Sequence, residues 1–174
     1  MTSRSDRGWR PPYAAMLPLI LVCSAFAAAP SVNVQLDVSK ANPRSVEDQT
    51  QRRIVADYRS AWASLEQAAE GDASAAMQGL FVGTAKKWLT DTVSSQRESG
   101  LTTKYLNQTH KLEAVFYAPE GDVLELHDTA EYQMQVLDGS KVIFDQPVVM
   151  HYVVLMTPGA DRWVIRELQS VPHF

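Results

Sequence analysis

The chain has 174 residues, 45% hydrophobic and 21% charged, with 8 Gly and 9 Pro, which favours one compact domain and excludes a collagen-like, coiled-coil or wholly disordered chain. A formal charge of -4 and an isoelectric point near 5.5 exclude a nucleic-acid binder that relies on a basic phosphate footprint. One cysteine excludes an intrachain disulfide framework and any multi-thiolate metal site.

The first thirty residues read as a targeting segment. Arg4, Arg7 and Arg10 against Asp6 form a basic leader, residues 14–22 are a short apolar core, and residues 24–29 are rich in small side chains. That order matches a secretory signal peptide with cleavage after Ala27, at the Ala25-Phe26-Ala27 exit. A retained single-pass anchor is the weaker alternative: it calls for about 20 apolar residues, and the stretch 13–29 contains Pro18. A lipoprotein would use Cys23, but Val22 stands where a small residue is wanted, and an organellar transit peptide would lack so solid an apolar core. The expectation is export, periplasmic or secreted. Removing residues 1–27 takes the net charge from -4 to -6 and leaves no thiol.

Residues 28–44 read as a linker with one complication. Val32, Val34, Leu36 and Val38 alternate with polar residues, so an extended tether and an edge strand both stand. Residues 45–174 form the expected domain. After Asn42-Pro43, Ser45 is placed to cap the first helix, with Asp48 at its third position. Val55, Tyr58, Trp62, Leu65 and Ala69 make one apolar stripe at helical spacing, and Gly71 stops it. Asp72 is placed to open a short second helix carrying Met77, Leu80 and Phe81. Thr84 is placed to cap a third, with Trp88, Leu89 and Val93 inward and Gly100 as its stop.

The period changes after Gly100. His110, Leu112, Ala114 and Phe116 alternate with Lys111, Glu113, Val115 and Tyr117, and residues 119–122 are a turn cluster. Residues 123–137 alternate again, with Leu124, Leu126, Ala130, Tyr132, Met134 and Val136 on one face. Asp138-Gly139 then signals a hairpin. Strands over 141–157 and 162–171, joined by the turn 158–161, complete an antiparallel meander. Pro147 marks a bulge or an edge, because it has no N–H for a ladder.

The expected fold class is α+β: three N-terminal helices packed on one strongly curved antiparallel sheet of four or more strands. The Trp-bearing first helix, Lys87-Trp88-Leu89 and the closing Asp161-Arg162-Trp163 strand resemble the nuclear-transport-factor-two-like superfamily of cone-shaped, cystatin-like domains. The layout is also similar to the intermembrane-space domain of plastid division proteins. The resemblance spans about 45–171 and rests on element order and a few aromatics, so it speaks to fold rather than function. It implies a cavity between helices and sheet, lined by Trp62, Trp88, Phe116, Leu126 and Met134.

Asp128 is the most informative single residue. It falls on the apolar face of Leu124-Leu126-Asp128-Ala130-Tyr132, where a carboxylate needs a partner or a raised pKa. It is either a pocket acid or base, with His110 or Tyr132 assisting, or a structural carboxylate turned outward by a bulge or paired with Arg166 or a helix arginine. On this reading Asp128→Ala leaves folding largely intact. His110, His127, His151 and His173 lack metal-ligand spacing, so no metal site and no cofactor is expected; His127 falls on the polar face. The exported chain has no cysteine nucleophile, no G-x-S-x-G elbow and no phosphate-binding glycine loop. Asn107-Gln108-Thr109 is a formal glycosylation sequon.

Between Lys111 and Lys141 stand seven acids and no Lys or Arg, whereas Lys40, Arg44, Arg52, Arg53 and Arg59 gather upstream. A solvated outer sheet face explains the acids; docking of a basic partner or self-association through the sheet is the other reading. Two functions follow. One is an exported, non-enzymatic binding or scaffold domain for a small apolar ligand or an envelope protein. The other is a small cavity lyase, isomerase or hydrolase using Asp128. A retained leader would add a third, a membrane-anchored subunit of a secretion or envelope assembly.

Overall fold

The computed structural model describes residues 32–72 and 79–174. The leader, its cleavage point and Cys23 lie outside the described residues, as does most of the expected short helix after Asp72. The described chain runs β1 (Asn33–Asp37), α1 (Asp48–Ala69), α2 (Gly83–Ser99), β2 (Leu101–Tyr117), β3 (Leu124–Asp138), β4 (Lys141–Pro158) and β5 (Trp163–Val171). The strands form one sheet in sequence order, and both helices lie on one of its faces: α1 against β1, β2 and β5, and α2 against β2 and β5.

The alternating valines upstream of α1 do form a strand. β1 pairs parallel to β2, Val34 beside His110 and Leu36 beside Leu112. Parallel neighbours need a crossover, which α1 and α2 supply. The sheet is therefore mixed rather than wholly antiparallel.

Two helix starts differ from expectation. Residue 45 lies in an irregular segment and α1 begins at Asp48, after Glu47, with no side-chain cap. Arg44 holds that segment open: its Nε donates to Glu47 Oε1 at 3.1 Å and its Nη1 to the Pro119 carbonyl at 3.1 Å, while Pro43 bridges Tyr117. Residues 80–82 are not helical either. They lie along the open side of β5, where Ile165 N–H donates to Leu80 O and Val82 N–H to Ile165 O, each at 2.9 Å. Unpaired strand groups there outcompete a short helix. Thr84 caps no helix but donates to Arg166 O at 3.0 Å, tying α2 to the same strand. The two helix stops behave as read, with Gly71 at φ +115° and Gly100 in the left-handed C-cap of α2 at φ +71°.

The meander β2–β5 follows the predicted turns, but the sheet is not strongly curled. The longest ladder, β3 with β4, runs unbroken from Leu124–Met156 to Val136–Phe144, so no bulge bends it along that length. Shifts occur instead at the hairpin end of that ladder, between Val136 and Leu137, where Ile143 is the extra residue of β4, and elsewhere between Leu106 and Thr109, between Ala114 and Phe116, and between Leu155 and Met156. Pro147 pairs with Gln133 inside the unbroken ladder, in the part of β4 that β5 does not reach, so it marks an edge and not a bulge. Asp57 of α1 accepts the Trp163 N–H at 2.8 Å, fixing the start of β5 under the helix.

The core is the helix-covered face. Ile54, Tyr58, Trp62 and Leu65 of α1 meet Leu112, Leu124, Leu126, Ala130, Val154 and Ile165 of the sheet. Burial of this apolar surface, worth roughly 25 cal/mol per Å², is what drives α1 onto β2 and β3.

Candidate functional site

The alternation of β3 carries Asp128 to the covered face, and the structure buries it completely. Its partners come from two other elements. Tyr58, on the inward stripe of α1, donates its hydroxyl to Asp128 Oδ2 at 2.7 Å. His110, on the inward face of β2, sets Nδ1 2.8 Å from the same oxygen. Tyr58, His110 and Asp128 each have 0% exposure. Arg166, the partner weighed from sequence, is not used; it lies at an exposed position of β5.

An aromatic shell closes the cluster. The Trp62 ring lies on His110, with centroids 4.4 Å apart, and Tyr58 meets His110 edge-on at 5.6 Å. Tyr152, opposite Asp128 on β4, faces Trp62 at 5.6 Å. With Oδ2 accepting from both neighbours, Nδ1 of His110 is the donor of the second bond. Burial, then the neighbouring Asp128 charge, holds the Tyr58 hydroxyl well above its ordinary pKa, so it stays a neutral donor. Burial raises Tyr152 and Tyr132 in the same direction.

A second polar pair sits farther along the same helix. Gln108 Nε2 donates to Glu66 Oε2 at 3.0 Å, and both side chains are buried. Burial, with Glu70 adding to it, pushes Glu66 up to about 7. Four buried polar atoms of the described residues have no protein partner: Trp62 Nε1, Gln108 Oε1, His110 Nε2 and Asp128 Oδ1. Chemically the arrangement fixes one histidine tautomer and shares one carboxylate oxygen between two donors. A proton moved within it passes between side chains, since no member reaches solvent.

The structure thus joins two of the three candidates, Asp128 and His110. The third, Tyr132, is buried farther along β3, edge-on to Tyr105 at 5.2 Å. Tyr58 was missed as a partner, and so was Glu66. A signal for both was present: Tyr58, Trp62 and Glu66 follow one another at i, i+4 on one helix face. Of the residues expected to line a cavity, Trp62 and Leu126 are in the core and Met134 is half-buried against it. Trp88 and Phe116 are 37% and 38% exposed. The shift between Ala114 and Phe116 turns Phe116 outward and Tyr117 inward.

The outer face has its own pairs. Lys111 bonds Glu131 at 2.6 Å and Lys40 bonds Glu113 at 2.7 Å, so part of the acidic run is neutralised locally. His127 is not simply solvated: Phe174 stacks on it at 4.2 Å and meets His151 edge-on. Surface hollows lie away from the buried cluster, one of about 460 Å³ beside Asp122, Leu155 and Arg166, another of about 380 Å³ beside Val149, His151 and Val171. Among the described residues no group of three or more His, Cys, Asp or Glu side chains is placed to hold a metal ion. No described helix is long and apolar enough to cross a membrane.

No protein-family model and no curated protein matches the chain. Among solved structures, the crystal structure of the intermembrane space region of chloroplast protein ARC6 matches with a TM-score of 0.51 and 17% identity, over 74% of this chain and 98% of that one. At that identity the likeness is one of fold.

Proposed function

We propose that the chain is an exported, non-enzymatic binding or scaffold domain that engages another envelope protein. One observation carries the reading: Tyr58 and His110 both bond Asp128 Oδ2, and none of the three has any exposed surface. An acid or base must come within hydrogen-bond reach of its substrate, and this trio is spent on itself under Trp62. Its geometry serves to pin α1 to β2 and β3. Support for a location outside a membrane comes from the leader and from the fold likeness to a region that lies in an intermembrane space. The leader supports export by cleavage after Ala27, which N-terminal sequencing tests: the mature protein begins at Ala28, and an intact Arg10 contradicts it.

A cavity enzyme is the second reading, and the unpartnered Nε2 of His110 and Oδ1 of Asp128 favour it. Deuterium exchange at the imidazole C2–H, read by mass spectrometry, separates the two. His173 lies exposed in the C-terminal tail and supplies the reference. In the scaffold reading His110 exchanges at least about tenfold more slowly than His173, as a group that needs local opening does. Equal rates would mean an open pocket and return Asp128 to the role of general acid or base.

A further inference from the structure

We propose that the open edge of β4 pairs antiparallel with the same edge of a second copy, joining two sheets into one. β3 lines one side of β4 along its whole length, whereas β5 pairs with the other side only from His151 onward. Residues 141–150 therefore present a free side among the described residues, and Val142, Ile143 and Val149 on it are 45%, 52% and 59% exposed. The other edges differ. β5 is covered at Ile165 by residues 80–82, and β1 has only five residues. A long edge with exposed apolar side chains is a template for another strand.

The sequence of this edge selects the occupant. Val142, Ile143 and Phe144 stand on one side of Asp145 and Gln146; Val148, Val149 and Met150 stand on the other, after Pro147. The pattern is nearly palindromic about Gln146. A two-fold axis through Gln146, normal to the sheet, sets Ile143 opposite Val149, Val142 opposite Met150, Phe144 opposite Val148 and Asp145 opposite Pro147. Every Val, Ile, Phe and Met of residues 142–150 then meets another apolar side chain, and such pairs stabilise a sheet. Centring the axis on Asp145 would instead set two carboxylates face to face, which is unfavourable. Gln135 holds Asp145 on its own sheet at 3.0 Å, and Gln133 bonds it as well. A proline inside an edge strand turns its nitrogen to the open side, so Pro147 removes one donor per copy. Val149, two residues on, keeps its own, while Ile143, the extra residue at the shift between Val136 and Leu137, contributes its side chain to the pair. The pairing is independent of any chemistry in the buried cluster.

The test reads both oligomeric state and register. Sedimentation velocity of the exported chain, with Cys23→Ser if the leader is retained, shows a dimer that forms with concentration up to about 100 µM. Ile143→Lys and Val149→Lys each weaken it at least about tenfold while leaving the unfolding midpoint unchanged at concentrations where the parent is monomeric as well, since both side chains are exposed. Under mild oxidation Gln146→Cys gives a disulfide-linked dimer and Asp145→Cys does not. Directly opposed residues at a non-hydrogen-bonded site lie about 4.5 Å apart at Cα, within disulfide span. A chain that stays monomeric, a dimer indifferent to both lysines, or equal cross-linking at 145 and 146 would overturn the proposal.

Discussion

Removing the Asp128 carboxylate is the sharpest test of how the cluster holds the domain together. Asp128→Ala leaves the Tyr58 hydroxyl and His110 Nδ1 without their acceptor, in a region with no solvent contact. A buried donor left unsatisfied costs about 1–3 kcal/mol, and two of them, with the small void of the lost carboxylate, give about 3–6 kcal/mol. Against this stands relief for Asp128 Oδ1, which has no protein partner and loses its desolvation cost on removal. The balance is a loss of about 3 kcal/mol. The sequence alone implied little effect, because parity places the carboxylate but not its two donors.

The measurement is urea unfolding of the mature chain, extrapolated to water with the slope checked for constancy. Asp128→Asn keeps one acceptor oxygen and is expected to lose about half as much. Tyr58→Phe loses about 1 kcal/mol, the net worth of one hydrogen bond. Combined with Asp128→Ala it gives a total smaller than the sum, since both changes remove the same bond. An Asp128→Ala variant within about 1 kcal/mol of the parent at unchanged slope would refute the reasoning. It would mean that the two donors find other acceptors at no cost.

Glu66 supplies a pH test. Folded, it is held near 7, and its ordinary value is 4.5. The folded chain therefore binds the extra proton between those values, and this stabilisation, complete below about 4.5, fades as pH rises through about 7. Glu66→Gln abolishes that slope and is more stable than the parent by about 2 kcal/mol at pH 8, with little difference at pH 4; urea titrations at the two pH values decide it. Packing is tested by a contrast of two apolar residues: Leu126→Ala, at 0% exposure, costs about 2–5 kcal/mol. Phe116→Ser, on the outer side of a register shift, stays within about 0.5 kcal/mol in thermal unfolding.

Much of the sheet was legible because its signals are local. Asp138-Gly139 and residues 119–122 announce turns, and the period-two alternation of 123–137 fixes which side of β3 faces the helices. The signal fails where a shift changes parity. Before His110, Asn107 adopts φ +55° and the register slips between Leu106 and Thr109, so the first half of β2 shows no clean alternation. The same effect hid the outward turn of Phe116. Helix starts were misread for a different reason. Ser45 and Thr84 are good caps by type, but Arg44 and Arg166 O recruit their surroundings into tertiary bonds, and no window of sequence contains Pro119 or Arg166 beside them.

The buried cluster shows how far parity alone can go. Alternation puts Asp128 and His110 on one face, and the ladder sets His110 against Ala130, one step of that face from Asp128. A carboxylate and an imidazole so placed are compatible with either a catalytic pair or a structural one. The helix above supports the structural reading: Tyr58 bonds Oδ2 and Trp62 lies on the ring of His110. Both residues belong to an apolar stripe that reads as core from sequence, and the core reading is what closes the site. On that reading the polar atoms of the cluster fix where α1 sits along the sheet, a register that apolar contacts alone leave free to slide because they are non-directional.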